Sequence, residues 1–120
     1  MDNKKLKSIL TLSAKYRLDV LTEVYDETDL TRALDAGATL IGINNRNLES
    51  FDTDIDRAAK IAAGIPSGII AVSLSGIVSA EDIARQLQSG LSRFLVGEAL
   101  SRSIDPASML KSMIAIGGTV

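Results

Sequence analysis

The fold of this chain is most strongly constrained by a regular alternation of short apolar segments with amphipathic ones. The apolar segments cover residues 19–24, 39–44, 68–73 and 93–98, and the first of them is rich in β-branched residues. The segments around them carry apolar residues at helical spacing, and the first covers residues 3–16. Strands that are apolar nearly throughout are typical of a parallel sheet buried on both faces. The pattern therefore predicts an α/β fold with four parallel strands and five helices.

Residues at the helix boundaries agree with this alternation. Three of the helices are predicted to end at glycines, which are Gly37, Gly64 and Gly90. One helix begins near Ser79, with Asp82 three residues later at the spacing of a capping box. The last helix begins at Asp105-Pro106, an N-cap residue followed by a first-turn proline. We predict one domain that covers residues 1–120.

Two closures of the four strands fit this pattern, an open doubly wound sheet and part of a barrel. A complete (β/α)8 barrel needs roughly 250 residues, about twice the 120 residues present. An open sheet of the flavodoxin type begins with a strand and has about five, whereas this chain begins with a predicted helix. The chain length, the number of strands and the helix at the start therefore favour half of a TIM (β/α)8 barrel.

Composition excludes several classes of function. The formal net charge is −2, which argues against a nucleic-acid or membrane partner because both usually bind a basic face. The chain has no Cys and no His, which removes thiolate nucleophiles, most zinc sites and imidazole mechanisms. No metal site and no cofactor are predicted. Without disulfides, the cytoplasm is the expected location. The N-terminal lysines and short apolar stretch fit an amphipathic helix better than a signal peptide.

The predicted strand ends carry the candidate site residues, because parallel α/β proteins place their chemistry at the C-terminal ends of strands. At the first strand end, Glu23 lies among Val20, Leu21 and Val24. A carboxyl group held against apolar neighbours suits general acid or base catalysis. The alternative is a glutamate that faces solvent or pairs with a nearby cation, and the sequence leaves both open.

The second strand end reads IGINNRNL. Gly42 allows the close approach of a neighbour, Asn44 ends the strand with an amide, and Arg46 can bind a carboxylate or phosphate through two parallel hydrogen bonds. The alternative is an asparagine-rich loop with a surface arginine. Amides and a cation directly after a buried strand favour a binding site.

The last two strand ends carry Ser75-Gly76 and Gly97-Glu98. Barrels commonly bind phosphate at this position through backbone N–H groups. Glycine is needed there because a Cβ would obstruct the close approach of an oxyanion. Glycines at two neighbouring strand ends therefore predict a phosphate site.

Four segments, LTEVYDE, ALDAGATLIGINNRNL, SLSGI and FLVGEAL, resemble in this order the C-terminal half of indole-3-glycerol phosphate synthase. The resemblance runs from about residue 6 to residue 110, and IGINNRNL, its most specific part, argues against other phosphate-binding barrel families. The resemblance implies that the strands match the fifth to eighth strands of a (β/α)8 barrel. That family is a carbon–carbon lyase of tryptophan biosynthesis. It closes an indole ring on a carboxyphenylamino-deoxyribulose phosphate and releases carbon dioxide and water.

The resemblance also implies a role for each residue that matches a family motif. Glu23 matches the catalytic glutamate of the fifth strand. The implied substrate contacts are Asn44, Arg46 and Ser75, and the implied phosphate cradle is formed by Gly76, Gly97 and the backbone of Glu98.

This chain departs from the family pattern in two places. The family usually has a glutamate in an ESG motif at the seventh strand, where this chain has Leu74-Ser75-Gly76. Leucine cannot exchange a proton, so one carboxylate of the site is missing, although Leu74 would also continue an apolar stripe with Ile70 and Val72. The family's catalytic lysines lie on the first half of the barrel, and all six lysines here fall in predicted helices. We therefore expect little or no synthase activity from this chain alone.

A half-barrel leaves two unpaired strand edges and an uncovered apolar face. We expect either a homodimer, in which the first strand of one copy pairs with the fourth strand of another, or a complex with a complementary N-terminal half-barrel. The expected ligand is a small phosphorylated substrate or a phosphate ion. The alternative function is a non-catalytic, self-associating scaffold that retains the phosphate site without turnover.

Overall fold

The computed structural model describes residues 1–46 and 54–117, which form an α/β fold. The strands in these ranges are β1 (Thr22–Val24), β2 (Leu40–Asn44), β3 (Ile70–Leu74) and β4 (Phe94–Leu95). The helices are α1 (Asn3–Lys15), α2 (Glu27–Asp35), α3 (Ile55–Ala63), α4 (Ala80–Gln88), α5 (Glu98–Arg102) and α6 (Pro106–Gly117). The predicted alternation is confirmed. The last two residues of the IGINNRNL motif lie outside the described residues.

The order of the strands determines how the sheet is wound. The order is β1-β2-β3-β4, and every neighbouring pair is parallel. Each strand thus pairs with the next strand along the chain, which is the winding of a (β/α)8 barrel and not of a doubly wound sheet. The described residues form a half-barrel, with β1 and β4 at the two ends of the sheet.

One face of the sheet is covered by helices and holds the core. The main cluster consists of buried residues from the strands, the helices and the turns that join them, namely Val24, Leu30, Ala33, Ala38, Ile41, Ile43, Ala58, Ile61 and Leu91. A second cluster of Ile77, Ile83 and Met113 joins α4 to α6. Burial of one large apolar side chain is worth about 1.5–3 kcal/mol, so these clusters fix the helices on this face.

The helix starts have the predicted caps. Ser79 Oγ accepts a hydrogen bond from the N–H of Asp82 at 3.3 Å, and α4 begins directly after Ser79. Asp105 Oδ1 accepts a hydrogen bond from the N–H of Ser108 at 3.0 Å at the start of α6. Both predicted helix starts are confirmed. None of the helices in the described ranges combines the length and the apolar character needed to cross a membrane.

Several strand boundaries differ from those expected from the sequence. The first three strands begin later than predicted, at Thr22, Leu40 and Ile70. The fourth strand is shorter than residues 93–98, because Gly97 is the N-cap of the short helix α5. The described ranges therefore contain six helices, where the pattern predicted five. The third strand ends one residue later than predicted, so that Leu74 is its last residue.

The opposite face of the sheet, here called the open face, is not covered by any of the described helices. Glu23, Gly42 and Val72 are register partners across β1, β2 and β3 on this face. Large apolar side chains on the open face are exposed: Leu95 is 60% exposed, Ile70 42% and Leu21 40%. This face is therefore accessible to solvent at these side chains, whereas Asn44 and Leu74 on the same face are buried.

Candidate functional site

The carboxyl ends of β2, β3 and β4 surround a cleft of about 790 Å3. Five of the predicted site residues line it, namely Arg46, Ser75, Gly76, Gly97 and Glu98. The cleft forms because parallel strands end at the same edge of the sheet, so residues far apart in sequence become neighbours. The structure brings these strand ends together, whereas Glu23 and Asn44 do not line this cleft. The binding roles of the five residues stay predictions.

The turn after β3 has an unusual backbone conformation. Ser75 has φ of 63° and Gly76 has φ of 69°, so two consecutive residues are left-handed. This conformation costs an L-residue such as serine about 1–2 kcal/mol, whereas glycine adopts it freely. The surrounding structure must therefore hold Ser75 in place.

Asn45 is the residue that holds this turn. It is fully buried, and its Nδ2 donates to the carbonyl oxygens of Ser75 at 2.9 Å and Leu74 at 3.0 Å, and to Ser73 Oγ at 2.8 Å. Its Oδ1 accepts a hydrogen bond from Gln86 Nε2 of α4 at 3.0 Å. In a trans peptide the C=O and N–H groups point in opposite directions, so fixing the Ser75 carbonyl also fixes the Gly76 N–H.

Sequence reasoning did not single out Asn45, although it lies between two predicted site residues. The available signal was an amide next to a buried strand, where an unpaired polar group would be costly. Asn44 is also buried, and its Oδ1 accepts a hydrogen bond from the Arg46 N–H at 2.8 Å. Asn44 therefore shapes the turn that carries Arg46, and a contact between Asn44 and substrate stays a prediction.

The charges in the cleft consist of two cations around one carboxylate. Arg46 Nη2 lies 3.3 Å from Glu98 Oε2, and Arg102 Nη2 lies 3.1 Å from Glu98 Oε1. These three side chains leave one net positive charge, which suits an anion. Groups of three or more acidic side chains that could hold a metal ion do not occur within residues 1–46 and 54–117.

Glu23 is exposed and does not have the apolar enclosure considered for it. Val24 points to the helix-covered face and is buried, because neighbouring residues of a strand alternate between faces. Glu23 lines a smaller groove of about 330 Å3 together with Leu21 and residues of α1. In this chain the Glu23 side chain therefore faces solvent, which is the alternative that the sequence left open.

Leu74 packs against Gly42 on the open face and is 5% exposed. A Cβ built on Gly42 would lie 3.0 Å from Leu74 Cγ and 3.3 Å from Leu21 Cδ1, and closer still to Leu74 Cδ1. The leucine side chain therefore occupies the space that the missing Cβ leaves. The interpretation of Leu74 as a packing residue is confirmed.

Arg57 of α3 supports the end of β2. Its guanidinium carbon lies 3.6 Å from the centroid of the Tyr25 ring, and its Nη2 donates to the Asn44 carbonyl. A cation over an aromatic face is worth about 0.5–2 kcal/mol depending on burial. Arg57 thus links the strand ends of β1 and β2, a connection that sequence reasoning did not identify.

Comparisons with known proteins cover most of the chain. A family profile described as indole-3-glycerol phosphate synthase matches residues 1–113. The indole-3-glycerol phosphate synthase of Koribacter versatilis is 42% identical over 109 residues, which are 91% of this chain and 42% of that protein. The multifunctional tryptophan biosynthesis protein of Schizosaccharomyces pombe is 34% identical over 119 residues, which are 99% of this chain and 16% of that protein.

A solved structure shows the same fold. A chain of the Amycolatopsis orientalis BexX/CysO complex matches with a TM-score of 0.74 and 22% identity, over 97% of this chain and 48% of that one. At this identity the likeness concerns the fold alone. This chain spans less than half the length of these relatives.

Proposed function

Because the chain belongs to the indole-3-glycerol phosphate synthase family, we propose that it supplies the phosphate-binding half of a synthase-type active site. Ring closure on the substrate then requires the other half of the barrel. The observation that carries this proposal is the cleft at the ends of β3 and β4, which gathers Arg46, Ser75, Gly76, Gly97 and Glu98.

The cleft is suited to a phosphate monoester for two reasons. The Ser75-Gly76 turn presents backbone N–H groups without a bulky side chain at its second residue, and Gly97 does the same before α5. Arg46 and Arg102 supply positive charge, and Glu98 shares its carboxylate between them until an anion arrives. A phosphate competes well for arginine because it accepts two parallel hydrogen bonds.

The catalytic part of the proposal rests on Glu23. Its carboxylate lies at the end of β1 on the open face, where it would enter the barrel interior once the missing strands are added. In this chain the position has solvent on one side, so the apolar surroundings that favour proton transfer would come from the other half.

The chain alone is proposed to be inactive. Each of its six lysines lies in a helix, and none lies at a strand end. Leu74 leaves no carboxylate at the end of β3. A second candidate function, a binding scaffold without turnover, is favoured by the tight packing of Leu74 on Gly42, because this packing stabilises the chain and provides no catalytic group.

A complementation assay separates the two functions. The chain is co-expressed with the part of the Koribacter versatilis relative that precedes its match to this chain, called the complement below, and indole-3-glycerol phosphate formation is measured. Activity in the mixture, and none in either part alone, supports the enzyme half. Leu74→Glu tests whether the missing carboxylate limits the rate, with Leu74→Gln as the uncharged control of similar size. Phosphate binding without turnover in every mixture supports the scaffold and contradicts the enzyme half.

A further inference from the structure

We propose that Gln86 of α4 is a positioning residue for anion binding in the cleft, and that it acts through the amide of Asn45 on the Ser75-Gly76 turn. This role rests on the proposed function, because it assumes that the cleft binds phosphate. Gln86 does not line the cleft itself. Its link to the turn is the 3.0 Å hydrogen bond from its Nε2 to Asn45 Oδ1.

The orientation of the Asn45 amide is set by the end of β3. Its Nδ2 faces the carbonyl oxygens of Leu74 and Ser75 at 3.0 Å and 2.9 Å. A carbonyl oxygen can only accept a hydrogen bond, so the NH2 group of Asn45 must point to these two atoms and its Oδ1 must point away from them. Oδ1 therefore points to α4, where Gln86 is the donor.

The same requirement fixes the orientation of the Gln86 amide. Its Nε2 must face Asn45 Oδ1, which leaves its Oε1 on the other side. Gln86 is 1% exposed, and its Oε1 has no hydrogen-bond partner in the described part of the chain. A buried acceptor without a partner lowers stability, and leucine or methionine at this position would carry no such atom. Core packing alone therefore does not account for a glutamine here, whereas the bond to Asn45 does.

The backbone of Asn45 is held independently of Gln86. Its N–H donates to the Leu74 carbonyl at 2.9 Å, and its carbonyl accepts a hydrogen bond from the Asp54 N–H at 2.8 Å. The side chain can still rotate relative to this fixed backbone, and the bond from Gln86 holds it on the side that faces away from β3. A rotation of the Asn45 amide would move the Ser75 carbonyl, to which its Nδ2 is bound.

Asn45 thereby connects two groups that would hold an anion. Arg46 follows it directly in the chain and lines the cleft, and Gly76 lines the cleft from the end of β3. The Gly76 N–H shares a peptide plane with the Ser75 carbonyl, so the direction of this N–H depends on the Asn45 amide.

The expected consequence of losing the Gln86 contact is a weaker anion site in a folded chain. Hydrogen bonds weaken steeply when the angle at the hydrogen falls, so a tilted Gly76 N–H binds a phosphate oxygen poorly. The hydrogen bonds of the Asn45 backbone and the packing of α4 on the core do not involve the Gln86 amide. Phosphate affinity and the fold should therefore respond differently to a substitution of Gln86.

Titration of the isotope-labelled chain with inorganic phosphate, followed by NMR spectroscopy, tests this inference. Gln86→Met removes the donor and keeps a residue of similar size that favours helices. The Kd for phosphate should rise about tenfold, as expected when one charge-assisted hydrogen bond is misaligned. The amide signal of Gly76 should also shift in the phosphate-free protein, whereas the amide signal of Gly97 should not.

Two matched variants separate positioning from a general loss of stability. Gln88→Met makes the same change two residues further along α4, at an exposed position. Ile61→Val weakens the main core cluster without touching the cleft. Both variants should leave the Kd and the Gly76 signal unchanged. The inference is overturned if Ile61→Val weakens phosphate binding as much as Gln86→Met at a similar urea midpoint.

The unaltered chain provides a second test that does not depend on the folding of a variant. Saturation with phosphate should shift the side-chain NH2 signals of Asn45 and Gln86 and leave that of Gln88 in place. Asn45 and Gln86 signals that do not move would overturn the inference.

The same measurements distinguish failure of this inference from failure of the proposed function. If the unaltered chain binds no phosphate, the proposed phosphate site is refuted, whereas a shifted Gly76 signal in Gln86→Met still supports the link from Gln86 to the turn. If the unaltered chain and Gln86→Met bind phosphate equally well and the Gly76 signal is unshifted, the positioning role is refuted and the proposed function stands.

Discussion

The contact between Gly42 and Leu74 can be tested by a double-mutant cycle. In the intact chain, Gly42→Ala introduces a methyl group into the space that the leucine side chain fills. No positive φ is found at Gly42, so the backbone accepts alanine without strain. The substitution also approaches Leu21 Cδ1 at 3.3 Å, so the coupling energy of the cycle, rather than the effect of Gly42→Ala alone, reports on the contact with Leu74.

The expected magnitudes follow from the two contacts. Gly42→Ala forces Leu74 to move and to give up part of its burial, and overpacking of this kind costs about 1–3 kcal/mol. Leu74→Ala alone costs about 2–5 kcal/mol, with the lower part of that range expected because the open face borders solvent. In the Leu74→Ala background only the 3.3 Å approach to Leu21 Cδ1 remains, so Gly42→Ala becomes nearly neutral or stabilising by up to about 1 kcal/mol. The predicted coupling energy is about 1–3 kcal/mol.

Urea unfolding followed by far-UV circular dichroism measures the cycle, because the chain has no Trp and only two Tyr. All four proteins should unfold with similar m values, so that differences in midpoint reflect stability. Gly37→Ala is the control, because a Cβ there meets nothing within 4 Å and its cost comes from the left-handed φ of 93° in either background. If the losses of the two single mutants add up to the loss of the double mutant within about 0.5 kcal/mol, the packing of Leu74 against Gly42 is refuted.

Three further predictions concern the site and the helix starts. Asn45→Ala should lower the free energy of unfolding by about 2–4 kcal/mol, because it leaves buried carbonyl and amide groups without partners; a loss below about 1 kcal/mol in urea unfolding would contradict this. Glu98→Gln should change the free energy of unfolding by less than about 1 kcal/mol, since the ion pairs are exposed. It should raise the affinity for phosphate, because Arg46 and Arg102 are then free to bind it. An unchanged affinity in isothermal titration would contradict phosphate binding in the cleft. Asp105→Ala should lower the free energy of unfolding by about 0.5–2 kcal/mol, because it removes the cap of α6, and the melting temperature should fall. Asp105→Asn should keep most of this stability, because asparagine also caps helices.

The sequence predicted the fold well where the residues at strand and helix boundaries agree with the order of the strands in the sheet. The apolar strands, the glycine stops and the caps at Ser79 and Asp105 all follow from short-range chemistry, and the structure contains each of them. Strand order followed from the alternation together with chain length. The boundary of β4 was harder to place, because Gly97 can either extend a strand or start a helix, and only the packing around the cleft decides.

The candidate site was predictable in part. Gly76 and Gly97 were singled out because phosphate cradles require glycine at fixed positions relative to strands, and Ser75 was singled out by the family resemblance. All three line the cleft. Asn45 was missed because its partners, Ser73 and Gln86, lie 28 and 41 residues away in the chain, and no local pattern reports such bonds. The sequence left the exposure of Glu23 open, because the surroundings of this residue depend on the strand that would pair with β1.

Amide hydrogen exchange at the two ends of the sheet tests the central claim most directly. The claim is that β1 and β4 have free edges until a complementary segment pairs with them. In the chain alone, backbone amides of these strands that point away from the sheet should exchange rapidly, and binding of the complement should slow them by at least about tenfold, with the β2 amides changing little. Strong protection of both edges in the isolated chain, or no added protection in the complex, would contradict the account.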